Sequence, residues 1–242
     1  MMRLSIFLLS CLAALSAAAV TPPTAPAIPR APLTLGNRIL TKVQADKLIK
    51  ALAAVEGCNA NVCFAIDGSG SINSEEFEKE KEFVLDVSSV ISVDHPIEMA
   101  AVQYGTANTR ITPLTASPEL FNERVDATKQ VGGQSFVTGG LNYCIAQLAR
   151  RPFEANKVIL LGDGIENIGS RAARRAKWFR DVLGGDISVV TAGIADEENL
   201  LDIVGGDATR IYEVGGFLEV LDLQIVIEEL TLDVCGINPK FD

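Results

Sequence analysis

Three oxygen-bearing side chains stand at alternate positions in the segment Asp67-Gly68-Ser69-Gly70-Ser71. The segment directly follows the short apolar run 62–66, which has the length and composition of a buried strand. One loop at the carboxyl end of that strand therefore carries a carboxylate and two hydroxyls. Hard oxygen ligands in this arrangement suit Mg²⁺ or Mn²⁺ rather than zinc.

Asp163 has the same relation to a second apolar run, residues 158–161. Its carboxylate should face the same crevice as that of Asp67, because ligands of α/β sheets bind at the carboxyl ends of the strands. The alternative is that Asp67, Ser69 and Ser71 form a turn that merely caps the next helix. The first interpretation predicts that two acids and two hydroxyls converge on a cation.

The elements that position these residues alternate regularly between strand and helix from residue 62 onward. Apolar runs predict strands at 62–66, 98–104, 110–114, 157–161, 187–192 and 210–214. Helical spacing predicts helices after an N-cap at Ser74 and at 118–127, 139–150, 171–183, 197–204 and 217–230. Such alternation predicts an α/β fold, a doubly wound and mostly parallel central sheet with helices on both faces.

The acidic and hydroxyl motifs together resemble the von Willebrand factor type A family. The metal-ion-dependent adhesion site (MIDAS) of that family combines Asp-x-Ser-x-Ser with a Thr and a second Asp on separate loops. Asp67, Ser69 and Ser71 match the first element, Thr138 matches the Thr, and Asp163 matches the second Asp. The resemblance implies that the two serines and the Thr contact the cation. It also implies that the two acids act directly or through water and that a ligand carboxylate completes the octahedron.

The resemblance covers residues 61–234 and departs from the family pattern at two positions. Family members usually carry a second hydroxyl two positions before the site Thr, where this chain has Phe136. Many also carry Thr or Ser where this chain has Gly162. Neither position supplies a ligand, so we expect the cation site to persist. Phe136 should alter the loop surface and the choice of partner, and Gly162 should alter the surroundings of the ligands.

The N-terminal residues 1–19 have the three-part pattern of a secretory signal, with cleavage near Ala19. An uncleaved anchor is the alternative, but the apolar run is shorter than the roughly 20 residues that span a bilayer. We therefore expect a secreted, extracellular protein without a membrane span. Residues 20–57 are expected to form a Pro-rich linker or pro-segment with a short helix, residues 58–235 the type A domain, and residues 236–242 a C-terminal tail.

Removal of the signal would take away Cys11 and leave four cysteines, an even number that suggests two disulfides. Three pairings are possible. We favour Cys58 with Cys235, which flank the domain, and Cys63 with Cys144 in its interior. The alternative for the interior pair is two buried thiols. A Cys58–Cys235 bond would restrict movement of the last helix and so predicts a largely rigid binder.

A basic stripe with a tryptophan lies on the predicted helix 171–183. It comprises Arg171, Arg174, Arg175, Lys177 and Arg180, with Trp178 beside them. The opposite stripe is apolar and should face the core; it comprises Ala172, Ala176, Phe179 and Leu183. The basic stripe is either a solvated outer face or a docking patch for an acidic partner or glycan.

The overall charge and the missing motifs exclude several classes of function. With 31 acidic against 21 basic residues the chain has a net charge of -10, which repels nucleic acid. His95 is the only histidine, and the phosphate-binding Gly-rich motifs are missing, so we expect no enzymatic activity. The predicted function is metal-dependent adhesion or recognition, in which the cation binds an Asp or Glu of an extracellular protein. The alternative is a secreted structural or matrix-type protein that keeps the fold without metal-dependent ligand capture.

Overall fold

The computed structural model describes the core of the chain and scattered positions outside it. The described residues are 60–92, 97–151, 155–165, 171–192 and 195–214, with strand positions 34–35 and 38–39 and helical positions 226, 229–230 and 233–234. Several predictions lie outside them: the signal peptide, most of the Pro-rich segment with its short helix, the Cys58–Cys235 bond, the C-terminal tail and much of the helix at 217–230. Within the described residues, no helix has the length and apolar character needed to cross a bilayer.

Six strands form the central sheet, in the order β5-β4-β3-β6-β7-β8. A short antiparallel pair, β1 (Thr34–Leu35) and β2 (Arg38–Ile39), precedes them in the chain. The sheet strands are β3 (Ala60–Asp67), β4 (Glu98–Tyr104), β5 (Thr109–Thr115), β6 (Ala155–Leu161), β7 (Asp186–Ala192) and β8 (Ile211–Val214). Every neighbouring pair is parallel except β4 with the edge strand β5, so the predicted mostly parallel sheet is confirmed.

Helices cover both faces of this sheet. They are α1 (Ser74–Ile91), α2 (Pro118–Asp126), α3 (Val137–Leu148), α4 (Ala172–Leu183) and α5 (Glu197–Val204), and a 3₁₀ turn at Ala208–Arg210 precedes β8. Apolar side chains of α1, α2 and the helical positions near the C-terminus form one core with the sheet. Those of α3, α4 and α5 form a second core on the other face. The doubly wound architecture is therefore confirmed.

The central strand β3 shows how the sequence builds both cores at once. All eight of its residues are buried. Val62, Phe64 and Ile66 point into one core, whereas Cys63 and Ala65 point into the other. This two-residue alternation is the reason that a strand covered on both faces has a continuous apolar run. The run places Asp67 at the buried carboxyl end of the middle of the sheet.

Two predicted helix starts are wrong. Asn73, not Ser74, is the N-cap of α1: its side chain accepts hydrogen bonds from the backbone N–H groups of Glu75 and Glu76. The Glu76 carboxylate in turn accepts from the Asn73 N–H at 2.9 Å, which completes a capping box. Helix α3 begins at Val137, two residues before the predicted start at position 139.

Candidate functional site

The loop after β3 holds the first part of the candidate site. Asp67 is fully buried, and its Oδ1 accepts a hydrogen bond of 2.8 Å from the backbone N–H of Ser69. The Oγ atoms of Ser69 and Ser71 lie 2.8 Å apart. Oδ2 of Asp67 is buried and has no hydrogen-bond partner among the described residues. The predicted Asp, Ser and Ser side chains therefore form one compact oxygen cluster with one unsatisfied carboxylate atom.

Thr138 lies in the first turn of α3, and the loop that precedes this helix contacts the loop after β3. The backbone N–H of Gly132 donates to the carbonyl of Gly68 at 2.7 Å, and the N–H of Gly70 donates to the carbonyl of Gly133 at 2.8 Å. These two bonds hold the loop before α3 against the loop after β3. The Thr138 side chain is buried, with an exposed fraction of 6%, and its hydroxyl accepts a 3.3 Å hydrogen bond from a backbone N–H at the start of α4.

Asp163 lies on a third loop, directly after β6. Its Oδ1 accepts from the backbone N–H of Ile165 at 2.9 Å, and its carbonyl accepts from the N–H of Asp196 at 2.9 Å. These bonds hold the loop after β6 against the start of α5. The charge of Asp163 acts on Asp67, so the structure brings the two predicted acids close enough to interact.

Burial sets the electrostatic character of both acids. It raises the pKa of Asp67 to about 6; hydrogen bonds from Ser69 and Tyr104 oppose this shift, and the Asp163 charge adds to it. Burial is also the largest cause of a raised pKa at Asp163. Two neighbouring carboxylates withdrawn from water are each costly to ionise without a compensating positive charge. A bound cation would supply that charge.

Gly162 and Tyr104 explain how this chain tolerates one of its departures from the family pattern. Gly162 has a φ of 139°, which favours glycine. A Cβ there would lie 2.1 Å from the Tyr104 hydroxyl and 3.0 Å from Asp67 Oδ2. Tyr104 is fully buried and donates a 2.6 Å hydrogen bond to the carbonyl of Leu161. The Tyr104 hydroxyl on β4 thus occupies the space that a side chain at position 162 would need.

Glu80 is a buried acid near the site that the sequence analysis missed. It lies on the core face of α1, fully buried, close to the backbone of Asp67 but without a hydrogen bond of normal geometry to either carboxyl oxygen. Burial, followed by the charge of Asp67, raises the pKa of Glu80 well above its ordinary range. The sequence could have predicted that Glu80 is buried, because position 80 falls on the apolar stripe that includes Phe77, Val84 and Val87.

The donor set fits a hard divalent cation. It consists of two carboxylates and three hydroxyls, and one buried carboxylate oxygen lacks a partner. Within the described ranges there is no group of three or more His, Cys, Asp or Glu side chains placed to hold a metal. The candidate site thus depends on hydroxyl oxygens, as Mg²⁺ and Mn²⁺ sites can, rather than on sulfur or imidazole.

A disulfide joins two of the elements that build the site. Cys63 and Cys144 are bonded, with their Cα atoms 5.4 Å apart, which confirms the predicted interior pairing and excludes the alternative of two buried thiols. Cys63 lies on β3, the strand that ends at Asp67, and Cys144 lies on α3, the helix that holds Thr138. The bond therefore ties the strand of the first motif to the helix of the second.

Comparison with known proteins identifies the family. The sequence model of the von Willebrand factor type A domain matches residues 61–225, so the chain belongs to this family. Among curated relatives, the human collagen alpha-6(VI) chain is 25% identical over 188 residues, and the mouse collagen alpha-4(VI) chain is 27% identical over 190. The matches cover 73% and 75% of this chain but only 8% of each collagen chain.

Solved structures show the same fold. Proximal thread matrix protein 1 from the mussel byssus, with a zinc-occupied MIDAS motif, superposes with a TM-score of 0.64 at 20% identity, over 74% of this chain and 46% of that one. The conserved hypothetical protein BatB from Bacteroides thetaiotaomicron gives a TM-score of 0.59 at 16% identity, over 74% of this chain and 99% of that one. A divalent metal thus occupies the MIDAS motif of the byssus protein.

Proposed function

We propose that this protein is a secreted adhesion or recognition module of the extracellular matrix type, which binds a carboxylate of a partner protein through Mg²⁺ or Mn²⁺. The observation that carries the proposal is the buried Asp67 Oδ2, which accepts no hydrogen bond of normal geometry within the described residues. It belongs to the same loop as the paired hydroxyls of Ser69 and Ser71. An unsatisfied buried carboxylate oxygen is costly in the metal-free protein. Coordination of a cation would remove that cost.

Five residues of the chain would hold the cation in two different ways. Ser69, Ser71 and Thr138 would contact it, and Asp67 and Asp163 would contribute charge directly or through water. The bound cation supplies an open coordination position for an oxygen of the partner's Asp or Glu. The zinc in the mussel byssus protein supports a divalent ion at this motif. The oxygen-only donor set favours Mg²⁺ or Mn²⁺ for this chain.

Two observations support an extracellular role. The relatives include collagen chains and a matrix protein of the mussel byssus, both of which are extracellular materials. The buried Cys63–Cys144 disulfide is typical of proteins from oxidising compartments. The same relatives also support the alternative function, a structural or matrix-type protein that keeps the fold without metal-dependent ligand capture.

We propose recognition rather than catalysis. The Ser69 hydroxyl is hydrogen-bonded to that of Ser71, not to a basic side chain. A serine nucleophile requires an adjacent base to become reactive. The two carboxylates would favour a bound positive charge, which supports a binding role for the site.

The test is calorimetric titration of N-acetyl-glutamate into the protein in Mg²⁺ and, separately, in EDTA. We expect weak binding, with a Kd on the order of millimolar, only in Mg²⁺, because one carboxylate oxygen on one cation offers few contacts. Thr138→Ala should abolish this binding. Thr115→Ala is the matched control. It also removes a threonine hydroxyl, but from the end of β5 that pairs with the start of β4, away from the candidate site.

The metal-dependent proposal would be abandoned if Mg²⁺ binds but N-acetyl-glutamate binds equally well in EDTA or not at all. In that case the structural role becomes the better account. Circular dichroism of the Thr138→Ala protein should show an unchanged fold, so that lost binding reports on the site.

A further inference from the structure

A cleft of about 720 Å³ opens beside the candidate cation site. Thr138 lines this cleft as well as the site, so the two are continuous. Basic and aromatic side chains from α4 and from the start of α3 form its walls: Phe136, Arg171, Arg174, Arg175 and Trp178. A ligand group bound at the cation would have this cleft as its immediate neighbour.

The basic stripe on α4 divides into two halves. Lys177 forms a 2.7 Å ion pair with Asp181, and Arg180 donates to the backbone carbonyl of Ile203. In contrast, the Arg171 and Arg174 side chains are exposed and form no ion pair within the described part of the chain. The half of the stripe that faces the cleft therefore presents uncompensated positive charge, although the whole chain has a net charge of -10.

Aromatic side chains give the cleft an apolar side. The Arg175 guanidinium lies 5.1 Å from the centroid of the Trp178 ring and also donates to Oδ1 of Asn142, so both groups are held in place. Trp178 remains 38% exposed, which is unusual for so large an apolar side chain on a helix whose other face fills the core. Acidic side chains have aliphatic stems that can pack on such a ring while their carboxylates pair with arginine.

We propose that this cleft binds an acidic segment of a partner polypeptide. The inference rests on the proposed function, since it places further acidic residues of the same partner next to the carboxylate that binds the cation. Arg174 and Arg171 attract the carboxylates, and Trp178 with Phe136 packs on their stems. A sulfated glycan fits less well, because the basic row that it would follow is interrupted where Lys177 and Arg180 are already paired.

The chain provides its own reporter for this cleft, because Trp178 is its only tryptophan. The probe is a fluorescein-labelled hexaglutamate peptide, whose affinity is measured by fluorescence polarisation, and the unlabelled peptide is used to follow Trp178 emission. Hexaglutamine and a heparin hexasaccharide are the comparison ligands. Arg174→Glu is the test variant. Lys177→Glu is the matched control, with the same change of charge one turn along the same helix.

We expect hexaglutamate to bind in Mg²⁺ and to change Trp178 emission, and hexaglutamine not to bind. Arg174→Glu should weaken hexaglutamate binding by at least about tenfold, because it replaces a charge-assisted contact by repulsion. Lys177→Glu should change the affinity by less than about threefold. Binding that Arg174→Glu leaves unchanged would overturn the proposal, as would binding of the heparin hexasaccharide but not of hexaglutamate.

The two proposals fail in different ways. If Arg174→Glu weakens binding equally in Mg²⁺ and in EDTA, while Mg²⁺ gives no gain for the parent, the cleft stands and the metal-dependent function fails. If Mg²⁺ strengthens binding but neither Arg174→Glu nor the Trp178 signal responds, the metal-dependent function stands and the cleft is wrong.

Discussion

At Asp67, burial opposes the negative charge that a cation site needs. Asp67 Oδ1 accepts a hydrogen bond from the Ser69 N–H, whereas Oδ2 accepts none of normal geometry within the described residues. Burial raises the pKa of this carboxyl to about 6. The metal-free site is therefore easier to protonate than an ordinary aspartate, and this property can be measured without any knowledge of the partner.

The first prediction concerns the pH dependence of the metal-free protein. Because the pKa of Asp67 is raised from 3.8 to about 6, the folded state holds a proton that the unfolded chain has already lost between those values. The free energy of unfolding should therefore fall as the pH rises through this window. At about 1.4 kcal/mol per pKa unit, the loss is up to about 3 kcal/mol.

Urea denaturation in EDTA across this pH range measures the effect. Glu80 and Asp163 have raised pKa values and act in the same direction, so the quantity of interest is the difference between the parent and Asp67→Asn. In the variant, the free energy of unfolding should fall less with rising pH, because an amide does not titrate. Identical curves for the two proteins would show that Asp67 ionises normally.

The second prediction concerns Gly162 and Tyr104. Gly162→Ala should lower the free energy of unfolding by about 2 to 4 kcal/mol, because its Cβ meets the Tyr104 hydroxyl and a φ of 139° strains any other residue. Tyr104→Phe should cost about 1 to 3 kcal/mol through the lost hydrogen bond to Leu161. The double variant should lose less than the sum, since the clash is removed. Additive losses would mean that the two positions do not interact.

At this scale the sequence predicted the candidate oxygen donors but not the side chains that surround them. Asp67, Ser69 and Ser71 were recognisable because alternate spacing after an apolar run needs no tertiary information, and Thr138 was recognisable only through the family resemblance. The hydroxyl that fills the space beside Gly162 comes from Tyr104, on a neighbouring strand. Side chains that meet across strands cannot be paired from one sequence, because their contact depends on the strand order.

At the scale of elements, the Cys63–Cys144 disulfide connects β3 to α3 and provides the third prediction. The bonded residues are 81 positions apart, and closing a loop of that length should stabilise the fold by about 4 kcal/mol. Replacing both cysteines with alanine should lower the free energy of unfolding by about that amount, as measured in urea. Cys144→Ala alone should cost nearly as much, since either change breaks the bond. A double variant as stable as the parent would contradict this account.

The fourth prediction concerns Glu80 on α1. A buried carboxyl without hydrogen bonds is unfavourable, so Glu80→Met should raise the free energy of unfolding by about 1 to 3 kcal/mol near neutral pH. Glu123→Met, at an exposed position of α2, is the control and should change stability by less than about 0.5 kcal/mol. Thermal denaturation of the three proteins gives the comparison. Destabilisation by Glu80→Met would indicate that this carboxyl has a partner that stabilises the fold.

Element types followed from the sequence more reliably than element ends or strand directions. The strand at 98–104 and the helix at 197–204 were bounded as the structure has them, because turn residues flank them. The antiparallel direction of β5 was not foreseen, since a half-exposed edge strand has the same pattern in either direction. Asn73 was missed as the N-cap because Ser74, also a strong capping residue, follows it directly.

At the scale of the whole molecule, charge is distributed unevenly. A chain with a net charge of -10 keeps a local basic surface at the cleft on α4, next to the candidate cation site. Both features favour an acidic partner, and the net negative charge of the chain would disfavour binding of acidic chains elsewhere. The predicted rigidity of the binder depends on the Cys58–Cys235 bond, which lies outside the described residues and stays a prediction.

The most direct test of the central claim is calorimetric titration of Mg²⁺ and Mn²⁺ into the chain from Val20 onward. The comparison is with an Asp67→Ala, Asp163→Ala double variant and with the control Asp126→Ala, Asp181→Ala, which removes the same charge from exposed helix positions. We predict saturable binding to the parent and to the control, and none to the Asp67 and Asp163 variant. Equal binding to all three proteins, or none to the parent, would contradict the cation site.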